Sequence, residues 1–180
     1  LARIIQYVFM GSALVAAFFA GDYVMKLIND NSEEAREASS MVGQQRPLFR
    51  LPDLQGKVRS VEEWSGQVLV LNFWATWCPP CQREMPSFVQ MQDEFASQGL
   101  QFVGIALDDA VKVENFLDTM GVEYPNLVGG DEALMVSNSY GNSFGALPYT
   151  VAIGRDGTIL ATFRGEVTRE KLEPVIVKAL

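Results

Sequence analysis

The hydrophobic pattern divides the chain into three stretches. Ile4 to Ala20 is almost unbroken apolar sequence, interrupted by Gln6, Gly11 and Ser12. That length lies at the lower edge of the roughly 17–25 residues that cross a membrane as a helix. Arg3 precedes the run and Asp22 follows it, so the positive-inside rule puts the N-terminus in the cytoplasm and the rest outside. Residues 1–28 are therefore read as a single-pass anchor in the inner membrane, with the remainder facing the periplasm. The rivals are a cleaved signal peptide, for which Phe18 before Ala20 makes a poor cleavage site, and a buried core helix. Residues 29–46 are polar and are read as a tether, with helix propensity over Glu33 to Ser40.

Residues 47–180 carry the periodicities of one α/β domain. Phe49–Leu51 and Lys57–Arg59 flank Asp53-Leu54-Gln55-Gly56, the pattern of a small hairpin. Val68 to Phe73 is a continuous apolar run, as expected of a strand buried on both faces. Pro80 to Ser97 reads as a helix with Phe88, Met91 and Phe95 on one stripe and Gly99 as its stop. Gln101 to Leu107 is a second buried strand. Val111 to Met120 is a helix with Asp109 or Ala110 near its N-cap, and Asp131 to Tyr140 a weaker one. Tyr149–Ile153 and Thr158–Phe163 pair across Gly154-Arg155-Asp156-Gly157. Thr168 is placed to cap a last helix, stapled by Val167 and Leu172 and kinked at Pro174. The order β-α-β-α-(α)-β-β-α implies a mixed sheet covered by helices on both faces.

Composition narrows the chemistry. The chain has 180 residues, enough for one domain with a sizeable core. Its net charge of −8 argues against nucleic-acid binding, which needs a basic stripe. It contains no histidine, which excludes histidine metal sites, Cys-His nucleophiles and Ser-His-Asp triads. Its two cysteines supply half of a tetrahedral zinc site, so zinc would require a second chain.

Those cysteines stand together in Trp74-Ala75-Thr76-Trp77-Cys78-Pro79-Pro80-Cys81, where a strand runs into a helix. Cys-x-x-Cys at such a junction is a dithiol redox signature. Cys78 at the N-cap faces unpaired backbone N–H groups and the positive end of the helix dipole, which favour the attacking thiolate. Cys81, one turn on and more buried, is placed to resolve the mixed disulfide. Pro79 and Pro80 fit the first turn but remove two donors, leaving the Cys81 N–H as the main one. This predicts a reductant rather than a strong oxidant. Glu84 lies one turn past Cys81, as an acceptor for its proton or as a surface acid favoured by the helix start. Trp74 reads as core, while Trp77 either covers the sulfur site or packs. Pro86 should kink the helix. Pro148 reads from its own surroundings as a strand-start proline, and Asp108-Asp109 as a solvated helix cap.

Asn72 to Pro86, Leu147-Pro148 and Gly154-Arg155-Asp156-Gly157 together resemble the thioredoxin superfamily. The run Asn-Phe-Trp-Ala-Thr-Trp-Cys-Pro-Pro-Cys-Gln-Arg-Glu-Met-Pro is similar to its membrane-tethered, extracytoplasmic TlpA/ResA-like branch, which includes cytochrome c maturation reductases such as CcmG. The resemblance covers Pro47 to Leu180 and implies a thioredoxin-like fold with an added N-terminal hairpin. It implies that Pro148 is a cis-proline facing the dithiol, that Leu147 pairs with an extended client segment, and that Glu84 is an active-site acid. Trp77 and Pro79 fall on the client-facing side of the same motif. Cytoplasmic thioredoxins carry a buried Asp where this chain has Asn72, and a Lys whose place Gly104 takes. Proton transfer would then fall to Glu84 or water. A peroxiredoxin is disfavoured, since no Pro-x-x-x-Thr-x-x-Cys precedes Cys78.

The expectation is a thiol:disulfide oxidoreductase with no cofactor beyond its Cys78–Cys81 couple. It would reduce disulfides of exported proteins, cytochrome c maturation or metallochaperone clients by resemblance. Its electrons would come from a membrane partner, because the chain has no flavin or nicotinamide motif. An oxidant or isomerase of the same fold, and a non-catalytic binding module, remain as alternatives.

Overall fold

Every residue of the strand Val68–Trp74 is buried, and the rest of the domain is arranged around it. A computed structural model describes residues 23–26, 28, 29, 32, 33 and 36–180. The apolar run of residues 4–20, read as an anchor, lies outside the described residues. Among those described, no helix is long and apolar enough to cross a membrane. Two units separate at Arg36, and the second, Glu37–Leu180, holds the domain.

Seven strands occur in that unit: β1 (Arg50–Pro52), β2 (Val58–Ser60), β3 (Val68–Trp74), β4 (Leu100–Ala106), β5 (Asn126–Val128), β6 (Tyr149–Ile153) and β7 (Ile159–Arg164). Helices accompany them, α1 (Pro79–Phe95), α2 (Ala110–Met120), α3 (Asp131–Ser139) and α4 (Arg169–Ala179), and residues 37–40 are helical as well. The sheet order is β5-β4-β3-β6-β7, and β1 and β2 form the separate N-terminal hairpin. β3 runs parallel to β4 through the α1 crossover and antiparallel to β6. This is the mixed, helix-covered sheet that the resemblance implies.

Alternation along β3 divides the core. Leu69, Leu71 and Phe73 face a cluster with Tyr140, Tyr149 and the hairpin's Leu51. Val68 and Val70 face Phe88 and Met91 of α1 and Leu172 and Ile176 of α4. A third cluster at the end of β3 joins Trp74, Cys78, Cys81 and Met85 to Val113 and Leu117 of α2. The strand therefore delivers the dithiol onto a packed floor.

Several local expectations change. β5 was not anticipated, because three residues are too few to carry a period. α1 and α4 hold Pro86 and Pro174 inside the helix, the two positions where a kink is expected. Thr168 stands at the N-cap of α4, but its side chain makes no capping bond, and its backbone carbonyl accepts from Lys171 and Leu172 instead. The domain also begins earlier than Pro47. Ala38 is buried, its carbonyl accepts from the Thr162 hydroxyl at 3.1 Å, and Gly43 and Gln44 exchange 2.8 Å backbone bonds with Ile159. Residues 43–46 thereby cover the start of the edge strand β7, where open strand groups would otherwise invite pairing.

Gly104 of β4 is fixed by space. A Cβ there would overlap the Asn126 side chain and press on the Trp74 indole nitrogen, two groups joined by a 3.0 Å hydrogen bond. Gly104→Ala is expected to destabilise the domain by about 2–3 kcal/mol, measured by urea denaturation, through overpacking and loss of that buried bond.

Candidate active site

The helix α1 starts where its first backbone N–H groups have no intrahelical partner. Cys78 occupies the N-cap in extended conformation, and its sulfur accepts from the Cys81 N–H at 3.4 Å. Pro79 and Pro80 fill the first two helical positions and offer no donor, as the sequence requires. Cys78 and Cys81 are joined in a disulfide, so the oxidised form of the couple is represented. Cys78 is only 3% exposed and Cys81 fully buried, so the couple lies within the surface when oxidised.

A groove opens beside Trp77, the residue that precedes Cys78. Trp77 is 67% exposed, which rules out a packing role. It lines an open groove of about 440 Å³ with Leu107, Leu134, Phe144 and Leu147. Leu147 also packs against the cluster that holds both cysteines. The Leu147–Pro148 bond is cis, as the resemblance implies, and Pro148 stands directly before β6, as its own surroundings suggest. Asn142, which sequence reasoning missed, holds this loop: its amide donates to the Ala146 carbonyl at 2.9 Å and its oxygen accepts from the Ala146 N–H at 3.1 Å. Asn in a loop of small residues was the available signal.

Asp108 is not a solvated cap. Asp109 caps α2 by accepting from Val111, while Asp108 accepts from the backbone N–H and hydroxyl of Thr76 and latches the loop that precedes the cysteines. Burial alone would raise the Asp108 carboxyl. The bonds from Thr76 and the Asp109 amide outweigh it and hold the group below the usual range. Gln82 adds a 2.7 Å bond from its amide to the Thr76 carbonyl.

Glu84 is 2% exposed, so the surface-acid reading fails. One carboxylate oxygen accepts from the Asn72 amide at 2.8 Å and the other from the Val167 N–H at 3.0 Å. Burial pushes its pKa up to about 7, against the lowering effect of the Val167 and Asn72 donors, and the charge of Glu166 pushes the same way. Cys81 and Glu84 are three positions apart on the buried side of α1, hence neighbours on one helix face. A buried acid titrating near neutrality beside a dithiol can carry a proton during exchange. Among the described residues no cluster could hold a metal ion.

A strand-to-helix dithiol on a mixed five-stranded sheet, faced by a cis-proline loop, defines a thioredoxin-like thiol-disulfide oxidoreductase. The chain belongs to the AhpC/TSA family, whose model matches residues 42–162. It is 31% identical over 145 residues to the thiol-disulfide oxidoreductase ResA of Bacillus thuringiensis, covering 80% of this chain and 82% of that one. A thiol:disulfide interchange protein of the thioredoxin family from Chlorobium tepidum is similar at 30% identity, with a TM-score of 0.68, over 76% of this chain and 96% of that one. A secreted Mycobacterium tuberculosis disulfide oxidoreductase, homologous to E. coli DsbE, superimposes with a TM-score of 0.62 at 25% identity, over 72% of this chain and 95% of that one. The protein is accordingly a thiol-disulfide oxidoreductase of the ResA/DsbE type.

Glu84 sets a pH dependence of stability. Its folded pKa lies above the unfolded value of 4.5, so the native state binds the proton more tightly. The associated stability is complete below about pH 4.5 and is lost as pH rises through about 7. Glu84→Gln should remove this fall, which is on the order of a few kcal/mol, in urea denaturation compared at pH 5 and pH 8.

Proposed function

We propose that the protein is a membrane-tethered reductant of disulfides in exported proteins, working outside the cytoplasmic membrane through Cys78 and Cys81. The observation that carries this reading is the N-cap sulfur of Cys78, served by one backbone donor, in a cluster against which Leu147 of the cis-proline loop packs. In the reduced protein the Cys78 thiolate attacks one sulfur of a client disulfide. A Cys78–client bond forms, the client S–S bond breaks, and the departing sulfur takes a proton. Cys81 then loses its proton to Glu84 and attacks the Cys78 sulfur. The Cys78–Cys81 bond forms, and the client leaves as a thiolate. The client gains two electrons and the protein loses them.

Trp77, Pro79, Leu147 and Pro148 would contact the client, with the Leu147 backbone pairing with an extended segment. The clients proposed are haem-attachment cysteines of apocytochrome c or metallochaperone thiols, by analogy with the branch that the sequence resembles. A thiol-disulfide relay partner in the membrane would return the couple to its reduced form. The apolar run at residues 4–20 supports the membrane location.

Two measurements test the reading. Cys81→Ala should accumulate mixed disulfides with clients on non-reducing gels, because resolution is blocked, whereas Cys78→Ala should accumulate none. The potential of the couple should lie nearer the about −270 mV of a reductant than the about −120 mV of a strong oxidant, since two prolines leave the thiolate one main donor. A value at the oxidising end would favour the oxidant or isomerase instead.

A further inference from the structure

We propose that Asn72 is a positioning residue of this reaction: its side-chain amide, anchored on Thr150, aims the Glu84 carboxylate to receive the proton of Cys81. The inference rests on the reading of Glu84 as that acceptor and adds a residue from a different element.

Asn72 sits in the middle of β3, fully buried, in register with Thr150 of β6 and Gly104 of β4. A polar side chain at the centre of a packed sheet needs a reason, because burying an amide without partners costs a few kcal/mol. Its Nδ2 donates to Glu84 Oε1 at 2.8 Å and to Thr150 Oγ1 at 3.0 Å, which uses both N–H bonds. The second bond ties the amide to β6, so the first acts from a fixed point. The other Glu84 oxygen is held by the Val167 N–H, in a segment braced by a 2.6 Å ion pair between Arg83 and Glu166. The carboxylate is thus gripped from the sheet and from the start of α4.

The chemistry of the amide suits an acid that changes state. An ionised Glu84 only accepts hydrogen bonds, and Asn72 presents N–H. A protonated Glu84 also donates, and Asn72 carries an acceptor, Oδ1, that is buried without a hydrogen-bond partner. Turning the amide over exchanges the two. One neutral side chain can therefore serve the carboxyl before and after it takes the Cys81 proton. An Asp in this place would titrate itself, and a Leu would serve neither state. The other groups that bear on Glu84 are Glu166, whose charge opposes its ionisation, Arg83, which pairs with Glu166, and the Tyr124 phenol, whose acidity the Glu84 charge weakens. Cys78 and Cys81 complete the set from α1 itself.

The test separates the two steps of a single turnover, using glutathione disulfide as the client and mass spectrometry of acid-quenched samples. Step one is glutathionylation of Cys78, and step two is release of glutathione by Cys81. In the unaltered protein the rate of step two should inflect near pH 7. Asn72→Leu removes the donor at similar volume. It should raise that inflection by about one unit and slow step two at pH 7 about five-fold, with step one nearly unchanged. Thr150→Val, which frees the amide, should shift the inflection the same way by a smaller amount. An unmoved inflection in folded Asn72→Leu, or equal slowing of both steps, overturns the proposal. Should Asn72→Leu fail to fold, Thr150→Val decides by the same criterion. Glu84→Gln distinguishes the two levels of the argument. If it leaves step two and its pH profile intact, Glu84 is not the acceptor and both readings fall. If it flattens the profile while the Asn72 and Thr150 variants do not shift it, only the role of Asn72 falls.

Discussion

The reactive end of this molecule depends on one constraint: the backbone N–H groups at the start of α1 have no partners within the helix. A sulfur placed at the N-cap meets those groups and the positive end of the helix dipole, and both stabilise negative charge. β3 is what places it there. The strand is buried along its whole length, so its end is rigid, and the turn that follows is held by the Asp108 latch on Thr76. The dithiol is thus fixed by packing below and by hydrogen bonds beside it.

The two prolines that follow Cys78 modulate this arrangement. They preserve the helix start, because the N–H groups they lack would go unpaired anyway. They also reduce the donors that a thiolate can use. The same feature that costs the fold little therefore bears on the chemistry, by limiting how strongly the reduced state is stabilised. Strong stabilisation of the thiolate is what makes an oxidant of such a couple.

Proton handling is built differently from charge stabilisation. Glu84 is kept near neutrality by opposing effects: burial pushes it up, while two N–H donors and a nearby acid act on either side. Its partners come from β3 and from the segment before α4, not from its own helix. The acid and the dithiol share α1, so the helix carries the reacting groups, and the sheet and the α4 junction set their environment.

Much of this was legible from the sequence. Local order supplied the dithiol, the N-cap position of Cys78, the hairpin 50–60, the buried strands β3 and β4 and the turn at Gly154–Gly157, because each is written in neighbouring residues or a short period. Glu84 was legible as a candidate, but its burial was not. Its bond to Val167 joins residues 83 apart in sequence, and its bond to Asn72 crosses from helix to sheet. Asp108 looked like a solvated cap because its partner Thr76 lies 32 residues away. The docking of residues 38–46 on β7 was hidden for the same reason, in a stretch whose polar composition suggested a free tether. Periodicity reports which side of an element is apolar, while the partners of a buried polar group are chosen only when distant elements meet.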